Sequence, residues 1–216
     1  MGRSMARFSL VTMSLLAIGV ALQSMRYDLV PWNIWLGIDS GIRSVIERVP
    51  FQMLAHAIVA PFALLLGPFQ FFPGLRSRHP ILHRLSGRIY VLAVLISGTA
   101  ALATAPFASG GPIAGLGFGL LAVSWLATTF GAWRAAVARK FDLHRLLMRF
   151  SYAMTFGAVT LRLQIPIGFI FFHFPSYSAM SVWLAYTAWI PNVIVVAIYS
   201  AIRSLRTSGT LAPAAP

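Results

Sequence analysis

The 216-residue sequence has no cysteine and only four acidic residues, Asp28, Asp39, Glu47 and Asp142. Without cysteine there is no disulfide, no thiolate metal ligand and no thiol nucleophile. The scarce acids leave no carboxylate pair inside an apolar stretch, which argues against proton- or cation-coupled transport through such a pair. Charge of either sign is thin, at 10% of residues against roughly a quarter in a soluble domain. It is also unevenly spread. Residues 49–75 and 89–133 carry no Asp, Glu, Lys or Arg, and between 150 and 202 the one such residue is Arg162. Walker loops, H-E-x-x-H and G-x-S-x-G motifs are missing as well, so soluble-type hydrolysis is not indicated.

What fills the space is apolar, 58% of the chain. A soluble protein could not solvate so much apolar surface. The second charge-free run is long enough for two helices of about 20 residues with a turn between them. Backbone groups in hydrocarbon must be satisfied within their own segment, and the runs lack the alternating polar residues of a barrel. The fold class is therefore all-α, a polytopic helical membrane bundle. Six spans are expected, near 8–25, 50–72, 82–106, 113–133, 146–172 and 179–202. They form one domain over 1–206, followed by a disordered tail at 207–216 that has too little apolar surface to fold. Phe8 to Met25 could pass for a signal peptide, but it is long and no A-x-A site follows it.

Between the first two spans, Pro31 to Val49 is too charged to cross. Trp32, Trp35, Leu36, Ile42, Val45, Ile46 and Val49 recur at helical spacing opposite Asn33, Arg43, Glu47 and Arg48, the pattern of an amphipathic helix lying in the outer interface. Asp39 and Gly41 allow it to be two short helices. In the fourth span, Gly111, Gly115 and Gly119 give a doubled small-xxx-small spacing that permits close helix approach.

The net charge of +13 would suggest nucleic acid in a soluble chain. Here topology accounts for it and no nucleic-acid partner is expected. With the N-terminus inside, every basic residue except Arg26, Arg43, Arg48 and Arg162 falls on a cytoplasmic segment. Lys and Arg are retained on that side, so both termini are placed in the cytoplasm.

The most informative feature is a near-repeat. Leu82-His83-Arg84-Leu85-Ser86-Gly87-Arg88 opens the third span, and Leu143-His144-Arg145-Leu146-Leu147-Met148-Arg149 opens the fifth. Both read L-H-R-L-x-x-R, with a histidine and two arginines, the arginines four apart on one helix face. Two neutral imidazoles on neighbouring helices can ligate haem iron, with Arg84, Arg88, Arg145 and Arg149 around the rim to pair with propionates. His83 and His144 are thus the candidate metal ligands, at the cytoplasmic leaflet. The same pair could hold a quinone or an anionic headgroup, and boundary arginines also snorkel to lipid and set topology without further role. A second polar set, His56 with Arg162, is expected toward the outer side, with Gln164 and His173 near it. Arg162 follows His144 by eighteen residues, five turns of a continuous helix or roughly 27 Å. An intramembrane arginine needs a partner or water, and bonding to carbonyls around Pro166 is the structural alternative.

These residues, His56 with Gly67-Pro68-Phe69-Gln70-Phe71, His83-Arg84 with Gly87-Arg88 and Tyr90, and His144 with Met148-Arg149 and Arg162, together resemble the bacterial predicted-membrane-protein family called domain of unknown function 2306, over roughly residues 50–200. The resemblance implies a multi-pass protein of the bacterial inner membrane and carries no activity with it. More distantly, the histidine placement is similar to the cytochrome b561 superfamily, where histidines on four successive helices hold two haems. Spans two, three and five fit that plan and span four has no histidine. The likeness implies one haem b between His83 and His144 and leaves His56 without its expected partner. The function expected from sequence is a redox or cofactor-binding membrane protein, with haem b or quinone as the ligand. A small-molecule or lipid transporter and a non-catalytic scaffold remain the alternatives.

Overall fold

A computed structural model describes the backbone of residues 2–28 and 40–209 and the side chains of 8–25 and 40–205. Ten α-helices account for nearly all of it: α1 (Gly2–Asp28), α2 (Ser40–Arg48), α3 (Pro50–Leu66), α4 (Pro73–Arg78), α5 (Pro80–Thr104), α6 (Gly111–Val137), α7 (Phe141–Thr155), α8 (Gly157–Phe171), α9 (Tyr177–Thr187) and α10 (Ile190–Gly209). There is no strand among the described residues. Six stretches are long and apolar enough to cross a membrane: Phe8–Met25, Pro50–Phe71, Pro80–Phe107, Gly111–Val137, Phe141–Phe171 and Tyr177–Leu205. Each overlaps one expected span. The tail after Gly209 and the two tryptophans of the expected interfacial helix lie outside the described residues. The remainder of that segment is α2, where Val45 and Ile46 are buried while Arg43, Glu47 and Arg48 are exposed.

Prolines start several helices, as their fixed φ and missing N–H favour: Pro50, Pro73, Pro80 and Pro112 all sit in the first two positions. Helix α3 packs chiefly on α5, α5 also on α6, and α6 on both α7 and α9, while α1 lies along α3 and touches α8. The interior is made of small and mid-sized side chains, with Ala63, Tyr90, Ala93, Val94, Trp125, Ala132, Met148, Tyr152 and Met154 forming the main cluster. Large apolar side chains such as Phe51, Leu92, Leu116, Ile170 and Val195 face outward. That inversion of a soluble core is what hydrocarbon allows, since helix association there relies on close packing and not on hiding apolar surface.

The glycine series of α6 divides by position. A side chain on Gly115 would collide with the Ala105 carbonyl, so this glycine permits a close approach, whereas Gly119 makes only ordinary contacts and Gly111 serves the turn, at φ +76°. The fifth and sixth crossings depart from expectation more sharply, because neither is one continuous helix. The fifth breaks at Phe156, between α7 and α8, and the sixth at Ala188–Trp189, between α9 and α10. The two breaks meet, with Gly157 against Ala188 and Trp189. His144 and Arg162 therefore do not share one uninterrupted helix face.

Candidate functional site

Helices α5 and α7 run in the same direction, and a buried contact sets their register. Tyr90 on α5 is 0% exposed, as is Ser151 on α7, and their hydroxyls lie 2.7 Å apart. Each residue is seven positions beyond the histidine of its own box, two turns along and on nearly the same helix face. The bond between Tyr90 and Ser151 accordingly ties the two helices together two turns beyond their boxes. His83 and His144 are close enough to act on each other electrostatically, and Arg76 at the end of α4 acts on His83 as well.

The two imidazoles are held differently. His144 Nδ1–H donates to the Ala132 carbonyl of α6 at 2.9 Å. A carbonyl can only accept, so this bond selects the tautomer and leaves Nε2 with its lone pair free for a ligand. The Nδ1 of His83 is enclosed with no hydrogen-bond partner. A buried polar nitrogen without a partner costs on the order of 1–3 kcal/mol, and a bound ligand is one way to recover it.

The four arginines of the boxes do not form one ring. Arg84 and Arg88 are exposed, and Arg145, also exposed, is engaged by Asp142. Arg149 turns away from the histidines, its guanidinium lying over the Tyr199 ring of α10 at 5.6 Å from the centroid. Helical spacing put these residues in the opening turns of two helices but could not show which neighbouring helix each would face.

Deeper in the bundle is a polar assembly that periodicity did not reveal. Tyr90 contacts Ser151 and, at 2.8 Å, Thr155. The indole N–H of Trp125 donates to Thr155 Oγ1 at 2.9 Å, and Thr129 meets Ser151 at 2.6 Å. Thr129 and Thr155 also bond the carbonyls of Trp125 and Ser151. This closed knot ties α5, α6 and α7 together in the buried interior. Extending the near-repeat by one heptad, to Tyr90 and Ser151, would have exposed its two central members.

Toward the opposite end, His56 Nδ1–H donates to the Ser97 carbonyl at 3.0 Å. Arg162 donates to the Ala158 carbonyl at 3.0 Å and to Ser24 Oγ of α1 at 2.8 Å, and its charge acts on His56. The two thus share one polar region among α1, α3, α5 and α8. The Ala158 carbonyl that Arg162 reaches belongs to the turn after the Phe156 break. Gln164 has its own task. Pro191 has no N–H to offer the Thr187 carbonyl four residues earlier, and Gln164 Nε2 supplies that bond at 3.2 Å. Asn192 likewise donates to Ala188 O and Ala153 O, on either side of the paired breaks.

Among the described residues, no three histidine, cysteine or acidic side chains gather as a metal-ion site. The His83–His144 donor set suits a metal that brings most of its own ligands, as a haem does. No curated protein and no solved structure matches the chain. Over residues 53–200 it matches the model of a family described as predicted membrane protein, DUF2306. With the greater part of its length matched and its six apolar crossings, the chain belongs to the DUF2306 family of predicted membrane proteins.

Proposed function

We propose that this membrane protein binds a redox cofactor between His83 and His144, at the end of the bundle that carries the α4 and α6–α7 connections. The observation that carries the reading is the pair itself. Two half-buried imidazoles stand in the opening turns of α5 and α7, one pinned so that Nε2 is free, the other with an enclosed Nδ1 that lacks a partner. Haem b is the ligand whose chemistry fits best: iron accepts two neutral imidazoles, and the bound group supplies one-electron transfer. The chain's own part is to fix the His144 tautomer through Ala132 and to keep the pair in register through Tyr90 and Ser151. Exposed Arg84 and Arg88 stand nearby in sequence to meet acidic substituents. A quinone would use the same nitrogens as hydrogen-bonding groups.

The broken fifth and sixth crossings would favour a transporter if their freed carbonyls faced a ligand cavity. Gln164 and Asn192 bond carbonyls around the breaks from within, so the transport reading is the weaker one.

The deciding experiment is a reduced-minus-oxidised spectrum of protein made in haem-sufficient cells, alongside His83→Ala and His144→Ala. A haem signal in the parent that both substitutions abolish is expected. No signal in the parent removes the haem reading, and retention of a quinone by the parent but not by the variants would assign the pocket to that ligand. We further place the basic end in the cytoplasm of a bacterial inner membrane, on the positive-inside distribution. A cysteine introduced at Ser77 should resist impermeant labelling from outside, and labelling there would invert the topology.

A further inference from the structure

Gln70 lies in the 3-10 turn Pro68–Phe71 between α3 and α4, and this turn reaches both helices of the histidine pair. The Phe71 ring lies 5.5 Å from that of Tyr152 on α7, centroid to centroid, and the Gln70 carboxamide bonds Ser86 of α5 at 2.8 Å. Ser86 and Gly87 follow His83 by three and four residues, which puts all three on one face of that helix. A Cβ on Gly87 would stand 3.2 Å from Gln70 Oε1. The carboxamide oxygen therefore lies over bare backbone one turn past His83.

The hydrogen bonds decide which way the carboxamide points. Ser86 has a single hydroxyl proton, and it is committed to the carbonyls of Leu82 at 2.7 Å and His83 at 3.3 Å. Toward Gln70 the hydroxyl can only accept. The amide nitrogen must face Ser86, and Oε1 is left as the outward atom. The side chain is half-buried, and among the described residues nothing donates to this oxygen. An acceptor so placed gains from a ligand that brings a donor and loses against one that brings only lone pairs. Phe69, Leu82 and Leu85, next in sequence to Gln70, His83 and Ser86, expose apolar surface suited to a ring or tail that arrives from the bilayer.

We propose that Gln70 selects a membrane-soluble hydroquinone for this site, its Oε1 accepting from a ring hydroxyl beside His83. A quinone carbonyl would meet the same oxygen lone pair to lone pair. Ser86 is a positioning residue here, since it acts through the orientation of Gln70. The inference rests on the redox reading of the histidine pair, for which it names a ligand class.

The test is isothermal titration of the full-length chain in detergent, under argon, with decylhydroquinone and with the matching decylquinone. The parent should bind the hydroquinone about tenfold more tightly, the discrimination that one hydrogen bond supplies. Gln70→Leu should bring the two forms level by weakening the hydroquinone. Ser86→Ala frees the carboxamide to turn its nitrogen outward, so the preference should shrink through a gain in quinone affinity, which a merely structural role for Ser86 would not produce. Equal affinity of the parent for the two forms overturns the proposal, as does a preference that survives in Gln70→Leu. Where Gln70→Leu does not fold, an unchanged preference in Ser86→Ala overturns it. Absence of binding of either form by the parent does so too, and leaves the haem spectrum to judge the histidines. A preference that holds in His83→Ala and His144→Ala but disappears in Gln70→Leu keeps Gln70 as the selecting residue and removes the histidine pair from the site.

Discussion

Helices α5 and α7 carry two polar zones each, one in the opening turn and one two turns deeper, and the zones are finished differently. In the deeper zone Tyr90, Trp125, Thr129, Ser151 and Thr155 spend their hydrogen-bonding capacity on one another and on nearby carbonyls. At the opening, the His83 nitrogen has no partner and the arginines point to solvent, to Asp142 or to α10. Near-identical heptads thus lead into a zone that holds helices together from one that has capacity to spare. The difference separates the part of the molecule that makes it stable from the part available to bind.

The largest expected effect falls beside the closed zone, at the ring that follows Ser151 in sequence. A methyl group at Gly67 would overlap the ring of Tyr152, which is buried and packed between Phe71 and Phe156. Gly67→Ala should destabilise the protein by about 3 kcal/mol, as overpacking does, measured by unfolding in mixed micelles. An unchanged midpoint would mean that the Tyr152 ring yields freely. Next comes Tyr90→Phe, which removes two contacts and should cost about 2 kcal/mol. Combined with Ser151→Ala the loss should be less than additive, and strict additivity would argue that the knot does not act as a unit.

A matched pair of substitutions tests the contrast between the boxes directly. In ligand-free protein, His144→Phe forfeits the bond to Ala132 and should lose about 1 kcal/mol, while His83→Phe removes an unpartnered nitrogen and should be neutral or stabilising. Equal losses at the two positions would erase the asymmetry. The smallest effect is expected at Arg139, which lies just past α6 with φ 58°, where its own N–H and that of Lys140 donate back to the Ala136 and Ala135 carbonyls. Arg139→Gly should stabilise by up to about 1 kcal/mol, because glycine adopts that conformation without strain. A loss of stability would show that the arginine side chain contributes there.

Hydrophobic runs and charge clusters were enough to locate all six crossings, because each run is bounded by Arg, Pro or Gly and hydrocarbon tolerates little else. The repeat also marked His83 and His144 as residues in the opening turns of two helices, and the charge of one acts on the other. The helix breaks were not legible. Pro166 lies inside α8 while the fifth crossing breaks ten residues earlier at Phe156–Gly157, where Gly157 lies against Ala188 and Trp189 of the sixth. The direction of Arg149 was equally hidden, because Tyr199 is distant in sequence and only the packing of α10 on α7 brings it near. The hydroxyl knot escaped because its members look individually like the serines and threonines that membrane helices use for packing.

The bond from Gln164 to the Thr187 carbonyl has a consequence for how the chain is made. As a lone helix, the sixth crossing would present lipid with an acceptor that Pro191 cannot serve, an expense of several kcal/mol in hydrocarbon. The fifth crossing carries the donor that removes it. The free energy of placing the last crossing in the bilayer is therefore a property of two segments taken together. Biosynthesis is best served when α8 and α9, joined by the short connection at 172–176, leave the translocation machinery as one hairpin.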